Sequence, residues 1–259
     1  MTSQRLLSRL AALALLAGVG ARTAAAPVSG DVPEATGWRA EVVVQGLSHP
    51  WSIAWLPDGS ALVTERSGRL RVIRDGRLDP TPISGLPPLL VAGQGGLLDV
   101  APHPRFTENR LVYFTFATGT GSANRTALAR GRLEGQALRD AAVIFQNADA
   151  KPGAQHFGSR IVWLPDGTLL MSVGDGGNPP TRFGGENIRN QAQNPGTHFG
   201  KVLRLKDDGS PAPDNPFADQ GRSLPPPGPP ASLFSYSPER EEELVLTAAI
   251  MGASIRRVV

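Results

Sequence analysis

One five-residue phrase, Trp-Leu-Pro-Asp-Gly, occurs twice in this chain, at Trp55–Gly59 and again at Trp163–Gly167, each time between two short apolar runs. Pro presets the first turn angle and Gly supplies the left-handed one, so each copy reads as a tight turn joining two strands. A looser copy surrounds Pro104, with Leu97–Ala101 before it and Leu111–Phe116 after it. Each copy is followed by an outer-strand phrase: Leu70–Leu78, Ala127–Leu138 and Lys201–Pro211, turning at Asp75-Gly76, Glu134-Gly135 and Asp208-Gly209. A period of roughly 50 residues holding about four short strands is the arithmetic of a β-propeller, whose units bury their faces by stacking radially. A two-sheet sandwich would not explain the recurrence. The chain is therefore expected to be all-β, and its 30 glycines and 24 prolines agree with many short strands and turns.

Residues 1–26 read as a cleaved secretory peptide: Arg5 and Arg9, an uncharged apolar run over Leu10–Ala21, then small residues ending at Ala26. The run is too short for a membrane span, and no later stretch is long enough. Removing the 26 residues takes three arginines and no acid, so the formal charge falls from +3 to zero. The basic precursor therefore does not point to nucleic acid. A protein exported to the periplasm or beyond with no cysteine must be held by its core or by bound ligands.

The stretch Ala154–Gly177 carries the chemistry. It sets His156 before the run Ser159–Trp163, turns at Pro165–Gly167, and returns along Leu169–Val173 to Gly174-Asp175-Gly176-Gly177. A hairpin brings the chain back to the side it left, so His156 and Asp175 are expected at one end of the sheet. A His beside a carboxylate is oriented and kept basic, as a general base must be. An ordinary loop histidine with a turn-forming aspartate is the competing reading. The polar insertion Asn178–Phe199, with Asn187, Asn190, Gln191, Gln193, Asn194 and His198, reads as a surface or binding loop without secondary structure. His49 and His103 read as turn or packing residues, Trp55 and Trp163 as blade packing, and Glu65-Arg66 as a surface pair.

The phrases PWSIAWLPDGSALVTERSGRLRVI, GQGGLLDVAPHP, HFGSRIVWLPDG and GKVLRLKDDGSPAPDNPF, in this order, resemble the soluble PQQ-dependent aldose sugar dehydrogenases of the glucose/sorbosone dehydrogenase family. The resemblance runs from about Trp38 to Tyr236. It implies a six-bladed propeller that binds pyrroloquinoline quinone and calcium and oxidises aldose sugars to lactones, passing electrons to an external acceptor. It also implies His156 as catalytic base and quinone neighbour, Asp175 as its orienting acid, and Gln94 as a residue lining the sugar and quinone site. Gln155 stands where some relatives carry an acid beside the base. No GxGxxG follows a strand, which argues against a nicotinamide enzyme.

The family's pattern breaks after Ser235-Tyr236, where Ser237-Pro238-Glu239-Arg240 replaces its quinone-contacting segment. The family's calcium ligands and quinone-clamping cations belong to its later part, so no metal ligand is assigned. At about 54 residues per blade the 233 residues after the leader make roughly four blades. The expected organisation is thus a leader (1–26), a partial propeller (27–236) and an atypical tail (237–259). That tail is consistent with a frameshift, and Glu241–Val259 is compatible with a helix. A non-catalytic propeller binding sugar or protein is one alternative function. A metal-dependent lactonase is another, but it needs a cluster of carboxylates at the axis, and the sequence offers no acid-rich constellation beyond Glu65, Asp99 and Asp175.

Overall fold

A computed structural model describes residues 40–215 and the strand at 254–258. The leader, the proline-rich stretch Ser223–Ala231 and the Tyr236 boundary lie outside the described residues. Strand β1 (Ala40–Gln45) precedes an antiparallel meander of β2 (Pro50–Trp55), β3 (Ala61–Glu65), β4 (Arg69–Arg74) and β5 (Arg77–Leu78). A second four-stranded meander follows: β6 (Leu97–Pro102), β7 (Leu111–Gly119), β8 (Asn124–Glu134) and β9 (Ala137–Gln146). The third sheet joins β10 (Gly158–Trp163), β11 (Leu169–Val173) and β14 (Lys201–Leu205), with a small hairpin, β12 (Arg182–Phe183) and β13 (Glu186–Asn187), inserted before β14. The repeat read from sequence is therefore three successive propeller blades among the described residues. Within the tail, Ser254–Val258 forms a strand, β15, antiparallel to β1, rather than continuing a helix.

Alternation within each strand supplies two apolar faces, and adjacent blades bury them. Leu62, Leu70 and Val72 of the first blade pack with Val112, Phe114 and Phe116 of the second. Tyr113 and Leu128, on the other face of the second blade, pack with Ile161, Leu169, Met171 and Leu203 of the third. Trp163 joins this seam edge-on to Tyr113 and His103, at 4.8 and 4.9 Å between ring centres. His103 is a packing residue, its Nδ1 accepting from the Arg105 backbone N–H at 3.0 Å. Trp55 departs from expectation, being 49% exposed. Its blade face is covered by Val44 and Leu47, with no second four-stranded sheet beyond it among the described residues.

The inner strands β2, β6 and β10 are tied by buried polar groups. Thr64 Oγ1 donates to Leu98 O, and Thr115 Oγ1 donates to Ser159 O, each crossing from one blade to the next. Asp99 accepts from Ser52 Oγ at 2.5 Å, from the Ile161 N–H at 2.6 Å and from Arg160 at 3.2 Å, so one carboxylate pins three blades. Burial pushes this carboxyl up, against the pull of Arg160 and the two hydrogen bonds. Glu65 corrects another expectation. It is fully buried and bonded not to Arg66 but to Arg69 Nε (2.5 Å), Arg71 (3.4 Å) and the Ser48 N–H (2.5 Å).

Candidate functional site

The site is built where the chain enters the inner strands. Gln94, two residues after Ala92, stands at the entry to β6, and Gln155 and His156 stand at the entry to β10. The loops are stitched together: Gln94 N–H donates to Ala154 O at 2.8 Å, and the His156 N–H donates to Gln94 Oε1 at 2.8 Å. Gln94 thus holds the backbone of His156, while its amide nitrogen makes no hydrogen bond among the described residues. Arg66, arriving from β3, donates through its guanidinium to Gly93 O and fixes the same loop from the first blade. His156 is itself left-handed, with φ at 51°. That conformation is uncommon for a residue with a Cβ and is kept here by the surrounding hydrogen bonds.

The return strand brings up Asp175. Gly174 is required because a Cβ there would stand 2.0 Å from His156 O, so the two loops touch through backbone. Beyond this contact, His156 Nδ1 and Asp175 Oδ1 lie 2.6 Å apart. A carboxylate only accepts, so Nδ1 carries a proton, and in the neutral ring Nε2 keeps its lone pair. Burial alone would push the Asp175 carboxyl up. The hydrogen bond and charge of His156, the Gly177 N–H at 3.3 Å and Arg189 outweigh it and hold the carboxyl below its ordinary value. Gln155 is exposed on the same edge, its Oε1 accepting from the Asn178 N–H at 3.5 Å.

Below the pair lies a buried lysine. Lys151 Nζ donates to Gly153 O at 3.2 Å and sits 4.2 Å above the centre of the Phe157 ring. Burial drives its amine down to about 8, opposed by the charge of Asp175.

The polar insertion is structured rather than an open loop. It forms the β12–β13 hairpin and a 3-10 helix, Ile188–Gln193, whose first turn is capped by Asn187 Oδ1 accepting from the Arg189 N–H at 3.2 Å. Gln191 is buried, and its carbonyl accepts from Lys201 Nζ (2.9 Å) and Thr197 Oγ1 (3.2 Å). His198 Nδ1 accepts from the Ala148 N–H at 3.1 Å. Asn190 and Gln193 are exposed. Most of the amides singled out in the sequence therefore hold the insertion together. Arg189, which the sequence reading missed, reaches the site: its Nε donates to Asp175 Oδ2 at 2.9 Å.

The acids of the lactonase alternative are scattered: Asp99 pins the inner strands, Glu65 pairs with arginines, and Asp175 faces His156. Among the described residues no group of three or more His, Cys, Asp or Glu side chains is placed to hold a metal ion. No described helix is long and apolar enough to cross a membrane.

Residues 47–226 match the model of one protein family, glucose/sorbosone dehydrogenase. The chain is 53% identical over 195 residues to an uncharacterised protein of Synechocystis sp., covering 72% of this chain and 47% of that protein. It is 33% identical over 200 residues to the aldose sugar dehydrogenase YliI of Escherichia coli, covering 76% of this chain and 50% of the relative. Among solved structures, the PQQ-bound aldose sugar dehydrogenase of Streptomyces coelicolor superposes with a TM-score of 0.57 at 29% identity, covering 72% of this chain and 53% of that one. The chain thus spans about half the length of the curated relatives it matches.

Proposed function

The chain belongs to the glucose/sorbosone dehydrogenase family, and from that premise we propose that it oxidises aldose sugars at the anomeric carbon, with His156 as the base. The observation that carries this reading is the 2.6 Å contact between His156 Nδ1 and Asp175 Oδ1, which leaves Nε2 free to accept a proton. As hydride leaves the anomeric carbon, Nε2 takes the proton of the anomeric hydroxyl, and the sugar becomes a lactone. Asp175 holds the ring in the required tautomer and offsets the imidazolium charge that develops. Gln94, with an unengaged amide nitrogen on an exposed side chain, is suited to a sugar hydroxyl, and Gln155 offers a second carboxamide beside it.

The donor set at this edge fits one side of a quinone such as PQQ: a base and two carboxamides, whose N–H groups recognise carbonyl and carboxylate oxygens. PQQ when bound supplies the two-electron acceptor for the hydride. His156 and Gln94 are the residues that would face it. The described residues do not fit a calcium site, since no three carboxylates or imidazoles among them converge. Export by the N-terminal leader and reoxidation by an external acceptor belong to the same reading.

The test is dye reduction by the purified chain supplied with PQQ, calcium and a panel of aldoses. Sugar-dependent reduction that falls by about 10²- to 10⁴-fold in His156→Ala supports the assignment. Quinone binding with no sugar oxidation would favour a non-catalytic propeller, and turnover indifferent to His156→Ala would remove His156 from the chemistry.

A further inference from the structure

The polar insertion places a cation on the far side of the acid that orients the base. From this geometry we infer that Arg189 is a positioning residue for His156, acting through Asp175; the inference deepens the dehydrogenase reading and rests on it for its catalytic meaning. The two oxygens of Asp175 are divided between two partners. Oδ1 faces His156 Nδ1 at 2.6 Å, and Oδ2 accepts from Arg189 Nε at 2.9 Å. A carboxylate engaged from both sides cannot turn about its last bond without breaking one contact, so its plane, and with it the plane of the imidazole, is fixed.

Packing fixes the guanidinium in turn. The neighbouring Ile188 is buried against Gly176, where a Cβ would stand 2.4 Å from Ile188 Cδ1. The close fit docks the 3-10 helix directly onto the Gly-Asp-Gly-Gly loop. At the other end of that helix, Lys201 Nζ donates at 2.9 Å to both Gln191 O and Phe199 O, anchoring the turn from below. Arg189 also reaches Asn178 Oδ1 at 3.5 Å, so it ties the loop after Asp175 to the insertion.

As a stabilising ion pair Arg189 counts for little, because its side chain is 52% exposed. Its consequence lies in which oxygen of Asp175 remains for His156. Lys151, the other cation near Asp175, is committed to Gly153 O and the Phe157 ring and does not replace it.

The experiment reads the tautomer of His156 by long-range ¹H–¹⁵N spectra of histidine-labelled chain, with neither sugar nor quinone present. The wild type is expected to show Nδ1–H as the dominant neutral form. Arg189→Ala is expected to lose about half or more of that signal, because an unpinned carboxylate no longer selects the Nδ1 proton. Arg189→Lys should restore most of it, and Arg189→Met, which keeps the alkyl stem, should behave as alanine does. Thermal midpoints unchanged within about 2 °C exclude a folding defect. An unaltered Nδ1–H signal in both Arg189→Ala and Arg189→Met would overturn the assignment and leave Arg189 a surface ion pair. Because the readout needs no turnover, a tautomer shift in a chain that oxidises no sugar would sustain the positioning role while the dehydrogenase reading fell. Turnover dependent on His156 with an unshifted tautomer would do the reverse.

Discussion

The first and third blades share a phrase, and the backbone of their leading hairpins matches until the end of the second strand. In both, the turn glycine donates to the leucine carbonyl at 3.0 Å (Gly59 to Leu56, Gly167 to Leu164). In both, the turn aspartate accepts from the N–H two residues on, at 3.0 Å from Ser60 and 2.9 Å from Thr168. Midway along the hairpin the match still holds: Ser52 N–H donates to Thr64 Oγ1 and Arg160 N–H donates to Ser172 Oγ, each at 3.0 Å. Past that point the strands part. The first blade continues Glu65-Arg66, and Glu65 turns inward to Arg69, Arg71 and Ser48. The third continues Val173-Gly174-Asp175, and the bare glycine lets the chain pass against His156 O so that Asp175 meets the base. A shared scaffold thus becomes a site through a few residues at the end of one strand, while the same end of the other blade is spent on stability.

The sharpest way to break this contrast is to remove each acid in turn. Asp175→Asn is expected to abolish most sugar-dependent turnover, while changing stability by about 1 kcal/mol, because the asparagine oxygen can still accept from the half-buried His156 ring. Glu65→Ala is expected to do the opposite. It leaves the buried Arg71 guanidinium, whose Nε already lacks a partner, without a counter-charge and held by Asp79 O at 2.8 Å, and should cost about 3 kcal/mol, read as a fall in thermal midpoint of about 6–12 °C. A Glu65→Ala protein with a wild-type midpoint would show that the first blade does not depend on this carboxylate.

That division explains what the sequence made legible. The turns were readable because Pro-Asp-Gly dictates its own conformation, and β3 and β11 begin and end where the apolar runs do. The His156–Asp175 pair was readable because a hairpin has only one way to return. Glu65 was misjudged by chain adjacency to Arg66; its true partner, Arg69, lies directly across the β3–β4 hairpin in register. Trp55 and Trp163 occupy equivalent positions, yet only Trp163 finds Tyr113 and His103 of a neighbouring blade. Whether a repeat position is buried depends on which blade flanks it, and the repeat itself does not carry that information. Arg189 gave no signal at all: the insertion has no period, and its approach to Asp175 depends on Ile188 packing against a glycine far from it in kind and purpose.

A milder contrast is electrostatic. The third blade buries two amines near its site, Lys151 and Lys201, each driven by burial to about 8 from 10.5. The unfolded chain keeps these protons up to about pH 10.5 while the folded chain releases them from about 8. Between those values the unfolded state binds more protons, so stability rises with pH. Denaturant titrations should show a gain of about 2–3 kcal/mol between pH 8 and 10.5, allowing for partial solvent screening. Lys151→Met should remove roughly half of that rise, whereas Glu65→Ala should leave its slope alone. A flat profile in the wild type would mean that both amines stay charged in the fold.

The smallest effect tests whether the matched hydroxyls are equivalent in energy as well as in geometry. Thr64 is fully buried, and its Oγ1 serves two blades at once, accepting from the Ser52 N–H and donating to Leu98 O. Replacing it with valine leaves a buried donor and a buried acceptor unpaired and should cost about 2 kcal/mol. Ser172 is only half-buried and has the single partner Arg160 N–H. Water can take up that N–H in Ser172→Ala, so the loss should be about 0.5 kcal/mol. Urea midpoints at constant slope separate the two. Equal losses would mean that the hydroxyl serves the hairpin alone; the larger loss at Thr64 would locate its value in the seam between blades, which the repeated phrase cannot encode by itself.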